Sequence, residues 1–241
     1  MAIDYTKRGG STPEPPSDGP IPGAPVPAAA APVSLSKVTL TKSAPTVSLT
    51  KQGSATGRLH VNLNWQARSA GGEQPKGFLK RIAGAAQPGI DLDLGCLYEL
   101  ADGRKGVIQA LGRQFGQLDA PPYIFLDGDD RSGTNVGGEN LFINLAHAAQ
   151  FRRVLVFACI YEGASAFDQA HGVVTLTPAS GAPIEVRLDE AAGRSRMCAV
   201  ALIENDGGDL TVRREVNYID GAQDVLDRAY SWGMDWTAGR K

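Results

Sequence analysis

The sequence predicts a mainly β protein: a two-sheet β-sandwich with one short C-terminal helix, preceded by a disordered, proline-rich tail. Short segments rich in Val, Ile, Thr and aromatic residues recur at a spacing of about ten residues, which is one observation that predicts the sandwich. Turn-forming Gly, Asp, Asn and Pro residues separate these segments, which is the second. The composition of the first thirty-two residues is the third observation, because it sets them apart from the rest.

Residues 1–32 are rich in proline and alanine and contain almost no large apolar side chains. Such a segment cannot bury enough apolar surface to offset the entropy lost on ordering, so we expect a disordered tail. Residues 33–241 are predicted to form one β-sandwich domain. Hydrophobic residues make up 42% of the whole chain, and this domain holds most of them, so it can form a sizeable core.

The first predicted strands lie in VSLSKVTLTK and TVSLTK, between residues 33 and 51. RLHVNLNWQ, from Arg58, alternates apolar and polar side chains and predicts a half-buried strand. Residues 67–89 are rich in glycine, lysine and glutamine and are interpreted as a loop. IDLDLGCLYEL is the next strand, and ADGRKG predicts the hairpin that leads to VIQAL.

The remaining strands are predicted in YIFL, LFINL, RVLVFACIY, GVVTLT, IEVRL, MCAVALIE and LTVRREVNYI. A helix follows, because Asp220 and Gln223 have the spacing of a capping box. Leu226 and neighbouring apolar residues recur with helical spacing, and Trp232 and Trp236 are expected to pack the helix and the tail against the sandwich.

Composition excludes some functional classes. The chain has 24 basic and 26 acidic residues, a net charge of -2, so it lacks the clustered basic face that nucleic-acid binding requires. Its three cysteines, Cys96, Cys159 and Cys198, have no metal-binding or redox spacing and are expected to be reduced, with Cys159 and Cys198 buried. There is neither a signal peptide nor an apolar run of about 18 residues, so a cytoplasmic protein without a transmembrane segment is expected.

Two acidic groups are candidate metal ligands. Asp91 and Asp93 share one face of a predicted strand, opposite Leu92 and Leu94. Two carboxylates at a strand end can bind a hard cation such as calcium, which takes six to eight oxygen ligands. The alternative is a solvated strand edge with no ligand.

The second group is Asp127, Asp129 and Asp130, with Glu139 and Asn140 closing the same loop. Glycines in this segment allow the backbone to curl and present carbonyl oxygens. The spacing does not match an EF-hand and the flanks are strands, so the alternative is an ordinary acidic turn. The two groups support each other only if the fold brings them together. Asp168 is a further candidate from a third loop.

Catalysis has little support. The three histidines are scattered, and the sequence has no G-x-S-x-G, phosphate-binding loop or H-E-x-x-H motif. We therefore expect a noncatalytic protein.

Several long segments resemble the tellurium-resistance TerD family, and within it the TerA-like branch. They are VSLSKVTLTK, GIDLDLGCLYEL, LDGDDRSGTNVGGENLFIN, RVLVFACIYEG, RSRMCAV, REVNYIDG and DRAYSWGMDWTAGRK. The resemblance covers about residues 33–241. It implies a β-sandwich that binds calcium through acidic loops, with the first family motif at Asp91 and Asp93 and the second at residues 128–133. It also implies a stress-response role together with other tellurium-resistance-type proteins, in an assembly at the cytoplasmic face of the membrane.

The chain departs from the family pattern where NVGGEN replaces a downstream acidic cluster and leaves only Glu139 and Asn140. Because calcium affinity follows the number of charged ligands, a metal-free scaffold protein is the alternative function. A less favoured alternative is an enzyme acting on an oxyanion or a stress metabolite, which would require a reactive thiol or a redox cofactor.

Overall fold

The computed structural model describes residues 36–65, 91–127, 137–162 and 167–237, and the predicted tail, residues 1–32, lies outside them. The described chain is mainly β, with two sheets of seven and six strands and one short α-helix. This confirms the predicted fold class. None of the helices in these ranges is both long enough and apolar enough to cross a membrane.

The seven-stranded sheet has the strand order β1-β11-β10-β3-β8-β7-β6. Its strands are β1 (Val38–Thr39), β3 (Arg58–Asn64), β6 (Gly116–Gln117), β7 (Ile124–Leu126), β8 (Glu139–Asn144), β10 (Gly172–Thr177) and β11 (Ile184–Leu188). All pairs are antiparallel except β1 with β11.

The six-stranded sheet has the order β2-β13-β12-β9-β4-β5 and is antiparallel throughout. Its strands are β2 (Thr46–Ser48), β4 (Asp91–Leu100), β5 (Lys105–Ile108), β9 (Phe151–Glu162), β12 (Met197–Asp206) and β13 (Asp209–Ile219). Within the described residues, strands are connected by three 3-10 helices, Leu111–Arg113, Leu145–Gln150 and Phe167–Gln169.

The main core lies between the two sheets. Leu59, Val61 and Leu63 of β3 are fully buried while the residues between them stay partly exposed, as the alternating sequence predicts. From the facing sheet, Leu92 and Leu94 of β4 enter the same core. Burying a leucine side chain stabilises the fold by about 1.5–3 kcal/mol, so this interface dominates the stability of the sandwich.

A second core covers the outer face of the six-stranded sheet. Helix α1 (Gln223–Ala229) and the segment after it pack there, with Leu226 and Trp232 fully buried against Leu97 and Phe157. Trp236 is partly buried in the same cluster. The prediction that the two tryptophans pack the helix and tail onto the sandwich is therefore confirmed.

Polar contacts fasten this C-terminal segment. Buried Asp227 accepts hydrogen bonds from the backbone N–H groups of Gly233 and Met234 and from the indole of Trp236. Arg153 of β9 lies 3.9 Å above the ring of Trp232, in cation–π geometry. The segment after α1 is thus held by directional bonds as well as by apolar burial.

The structure differs from the sequence-based expectation at several element ends. Of the predicted first segment, residues 33–35 lie outside the described residues, and β1 contains only Val38 and Thr39. The chain turns at Thr41, whose N–H donates to the carbonyl of Ala44. The predicted capping box is wrong: α1 begins at Gln223 after the extended Ala222, with no side-chain cap. β6 and the three 3-10 helices were not predicted, because they are too short to show a periodic pattern.

Candidate functional site

The fold brings the first acidic motif and the end of the second to one end of the sandwich. β4 begins at Asp91 in the six-stranded sheet, and β8 begins at Glu139 in the seven-stranded sheet. The Glu139 carboxylate accepts a hydrogen bond from the backbone N–H of Leu94, with Oε2 2.5 Å from the nitrogen. Residues 45 positions apart in the chain therefore meet across the two sheets, next to Asp93.

Asp91 and Asp93 are buried rather than solvated. Their exposed fractions are 5% and 6%, so the alternative of a solvated strand edge is wrong. Leu92 and Leu94 face the core, as predicted, and Asp93 lines a cavity on the outer face of the same sheet. Because burying a carboxylate is unfavourable without compensating partners, buried acidic residues at a strand end are uncommon outside ion pairs and metal sites.

Glu139 and Asn140 do not point to the same place. Glu139 is 2% exposed and faces inward with the core residues of β8, whereas Asn140 is on the outer face, because successive side chains of a strand alternate. There, Asn140 Oδ1 lies 2.7 Å from Nε2 of His60 and accepts a hydrogen bond of 2.9 Å from Asn62. Asn140 therefore belongs to a polar surface network and not to the buried acidic group.

Asp127 is exposed at the end of β7, and its backbone N–H donates to the carbonyl oxygen of Asn140. It precedes residues 128–136, so the predicted ligands Asp129 and Asp130 lie outside the described residues. Asp168 is exposed in the 3-10 helix Phe167–Gln169.

The donor chemistry of the buried carboxylates fits calcium, which prefers hard oxygen ligands. Asp91, Asp93 and Glu139 are the described residues that could contribute to such a site. Across residues 36–65, 91–127, 137–162 and 167–237, however, no group of three His, Cys, Asp or Glu side chains is close enough to hold a metal ion. A calcium site here would therefore need further oxygen ligands.

The cavity beside Asp93 was not anticipated from the sequence. Its polar residues, Gln109, Arg196 and Gln223, come from separate elements, so no local motif signals them. Cys159 of β9 also lines it and is half-buried, where a fully buried thiol was expected. The other two cysteines, Cys96 and Cys198, are buried, and burial raises the pKa of both thiols far above its ordinary value.

No protein-family model matches the chain. The tellurium resistance protein TerA of an Alcaligenes species is 44% identical over 197 residues, which are 82% of this chain and 56% of that protein. The chain thus spans about half the length of this curated relative.

Two solved structures align with part of the chain. The crystal structure of SAV2460, a protein of unknown function, aligns with a TM-score of 0.50 and 17% identity, over 69% of this chain and 92% of its own. A homologue of the telluride resistance protein TerD from Streptomyces coelicolor aligns with a TM-score of 0.48 and 20% identity, over 71% and 95%. The 44% identity to TerA over 82% of the chain supports its membership of the tellurium-resistance (Ter) family.

Proposed function

We propose that this protein is a noncatalytic, calcium-binding member of the tellurium-resistance family that works in an assembly with other tellurium-resistance-type proteins. The observation that carries the calcium part is the hydrogen bond between Glu139 and Leu94, which joins the ends of the two acidic strands. Asp91 and Asp93 lie on one of these strands, and Asp127 ends the strand next to the other. The approach of these strand ends supports a calcium site between the two motifs, completed by further oxygen ligands.

Burial strengthens the chemical argument. In a site of low dielectric constant, carboxylates attract a divalent cation more strongly than they do in water. Asp91, Asp93 and Glu139 each have less than a tenth of their surface exposed. A cation bound at one or two of these carboxylates, with its remaining oxygen ligands from other residues, would balance part of their negative charge.

The test is calorimetric titration of the full-length, metal-free protein with calcium, with magnesium as the control ion. We expect micromolar or tighter calcium binding and a rise in melting temperature, since a ligand at a hundredfold excess over its Kd stabilises the native state by about 2.7 kcal/mol. Flat heats and an unchanged melting temperature in millimolar calcium would instead support the metal-free scaffold.

Three variants sharpen the experiment. Asp93→Asn and Glu139→Gln each remove one charge with little change of shape, and Glu139→Gln keeps an oxygen to accept from Leu94. Each is expected to weaken calcium binding by about tenfold, because affinity follows the charge of the ligands. Asp206→Asn, in the exposed β12–β13 turn, is the matched control and should leave the affinity unchanged.

The assembly part of the proposal rests on family membership and on the outer face of the seven-stranded sheet. Arg58, His60 and Phe142 form a partly exposed row there, with the His60 and Phe142 rings stacked 4.8 Å apart and Arg58 above Phe142. Co-purification of tagged protein with other tellurium-resistance-type proteins, with and without membrane vesicles, tests this part. Loss of the partner in a Phe142→Ser variant that stays folded would support this face as the contact surface.

A further inference from the structure

A cavity of about 220 Å³ lies on the outer face of the six-stranded sheet, between β4, β9 and the turn before α1. For comparison, an apolar cavity of about 150 Å³ in another protein holds benzene, so this one has room for a somewhat larger organic molecule. A second cavity of about 790 Å³ adjoins it, and both are lined by Gln109 and Gln223. The hydrogen bond from Gln223 Nε2 to Gln109 Oε1, 2.9 Å long, lies where the two cavities meet.

The inner wall of the smaller cavity is apolar. Phe157, Ile160 and Met197 line it and are 1%, 4% and 2% exposed, so their positions are fixed by the packed sheet. Such a rigid wall suits the apolar part of a ligand, because little side-chain entropy is lost when the ligand binds.

Two opposite charges also line the cavity. Asp93 is 6% exposed and lies on the sheet, whereas Arg196 is exposed. The Nε and Nη2 groups of Arg196 donate to the carbonyl oxygens of Ile160 and Tyr161, which fixes the guanidinium group. Its Nη1 makes no hydrogen bond within the described part of the chain, so this nitrogen can donate to a ligand.

We propose that this cavity binds a small zwitterionic organic ligand, of which an α-amino acid with an apolar side chain is the simplest. The ammonium group of the ligand would lie at the Asp93 carboxylate, and its carboxylate would accept from Nη1 of Arg196. The apolar side chain would rest on Phe157 and Met197. Gln109, whose amide is also in the cavity wall, adds a neutral donor for the ligand carboxylate. An acidic and a basic side chain in the same cavity favour a ligand that carries both an ammonium group and a carboxylate over a ligand that carries only one of them.

The test is calorimetric titration of the full-length, metal-free protein with L-leucine, compared with leucinamide and N-acetyl-leucine. Leucinamide lacks the carboxylate and N-acetyl-leucine lacks the ammonium group, while both keep the apolar side chain. We expect L-leucine to bind with a Kd of about 1 mM or lower and each analogue to bind at least about tenfold more weakly. Equal binding of all three, or no binding of L-leucine at about 10 mM, would overturn the proposal.

Protein variants locate the site. Arg196→Gln is expected to weaken L-leucine binding by about tenfold, whereas Arg194→Gln, which changes an exposed arginine outside the cavity wall, should not. Ala222→Leu places a larger side chain in the cavity wall at an exposed, extended position and should abolish binding without unfolding the protein. An unchanged affinity in both Arg196→Gln and Ala222→Leu, with melting temperatures like that of the parent, would show that the ligand binds elsewhere.

This inference does not depend on calcium binding, and the experiment separates the two. Since Asp93 is both a proposed calcium ligand and a wall of the cavity, calcium should weaken L-leucine binding, and L-leucine should weaken calcium binding by the same factor. Leucine binding that calcium does not change would retain the cavity site and remove Asp93 from the calcium site. Calcium binding without any leucine binding would overturn the proposed cavity site and leave the proposed calcium site standing.

Discussion

Replacing Glu99 with glutamine is expected to weaken the attachment of the C-terminal segment. Glu99 is 2% exposed on β4 and accepts hydrogen bonds of 2.7 Å from both Arg152 and Arg153. Arg153 in turn donates to the carbonyl oxygens of Tyr230 and Ser231, just after α1. Glu99 therefore fixes the guanidinium group that joins the sheet to the segment after the helix.

The size of the effect follows from these contacts. A hydrogen bond to a charged group contributes about 1.5–3 kcal/mol, and a glutamine amide can accept only on its oxygen. Arg152 is 69% exposed, so its bond to Glu99 counts for less than that of Arg153. We expect Glu99→Gln to lower the free energy of unfolding by about 2–3 kcal/mol and the melting temperature by about 5–10 °C.

Urea unfolding, followed by tryptophan fluorescence, measures this loss. Glu204→Gln is the control, because the Glu204–Arg213 pair is 3.8 Å apart and both side chains are 44% exposed. We expect this control to change stability by less than about 0.5 kcal/mol. An equal loss in Glu99→Gln and Glu204→Gln would refute the reasoning.

The same experiment has a pH dependence. Burial acts to raise the pKa of the Glu99 carboxyl, but the hydrogen bond and charge of Arg153 outweigh it and hold the pKa below its ordinary value. A carboxyl with a lowered folded-state pKa stabilises the protein above its unfolded pKa of about 4.3, and the stabilisation is lost as the pH falls through the folded pKa. The stability difference between the parent and Glu99→Gln should therefore be constant near neutral pH and shrink below about pH 4.

Three further predictions concern other parts of the molecule. Asp227→Ala removes the acceptor of three hydrogen bonds and should lower the free energy of unfolding by about 2–4 kcal/mol. Tryptophan emission should also shift to the red, because Trp236 gains exposure, and unchanged emission would contradict this prediction. Gly138→Ala should lower the melting temperature by several degrees, because at φ +62° a Cβ atom would lie 2.1 Å from a main-chain oxygen of β3; a melting temperature equal to that of the parent would show that the turn relaxes without cost. A thiol reagent should label half-buried Cys159 in the native protein and reach Cys96 only in denaturant, because burial raises the pKa of the Cys96 thiol; equal labelling rates would contradict the packing described above.

The sequence predicts the strands of this fold better than it predicts their ends. In β3, alternation of apolar and polar residues specifies both the strand and its buried face, since the side-chain period is two. The predicted helix start was wrong because the chain is still extended at Ala222, so the helix begins two residues later than a cap at Asp220 requires. Gln223 then lies at the first helical position, and its side chain bonds to Gln109, far away in sequence, instead of capping the helix.

The candidate site could be predicted only in part. The pattern around Asp91 and Asp93 identifies their shared face, but not their burial, which depends on the neighbouring strands. Glu139 and Asn140 are adjacent in sequence and were expected to act together, yet the pleat of β8 points them to opposite faces. The contact of Glu139 with β4 depends on how the two sheets stack, and that is a property of the whole fold.

The hydrogen bond between Glu139 and Leu94 also bears on aggregation. β5 pairs with β4 only from Cys96 to Glu99, so among the described residues the first half of β4 has a sheet neighbour on one side alone. Such a strand edge is a template on which another chain can add, and an inward-pointing charge is one of the ways in which β proteins prevent this. Because the Glu139 carboxylate already holds the Leu94 N–H, an incoming strand would have to displace a buried anion. We therefore expect the residue proposed to attract a cation also to disfavour the joining of copies of the protein through this edge.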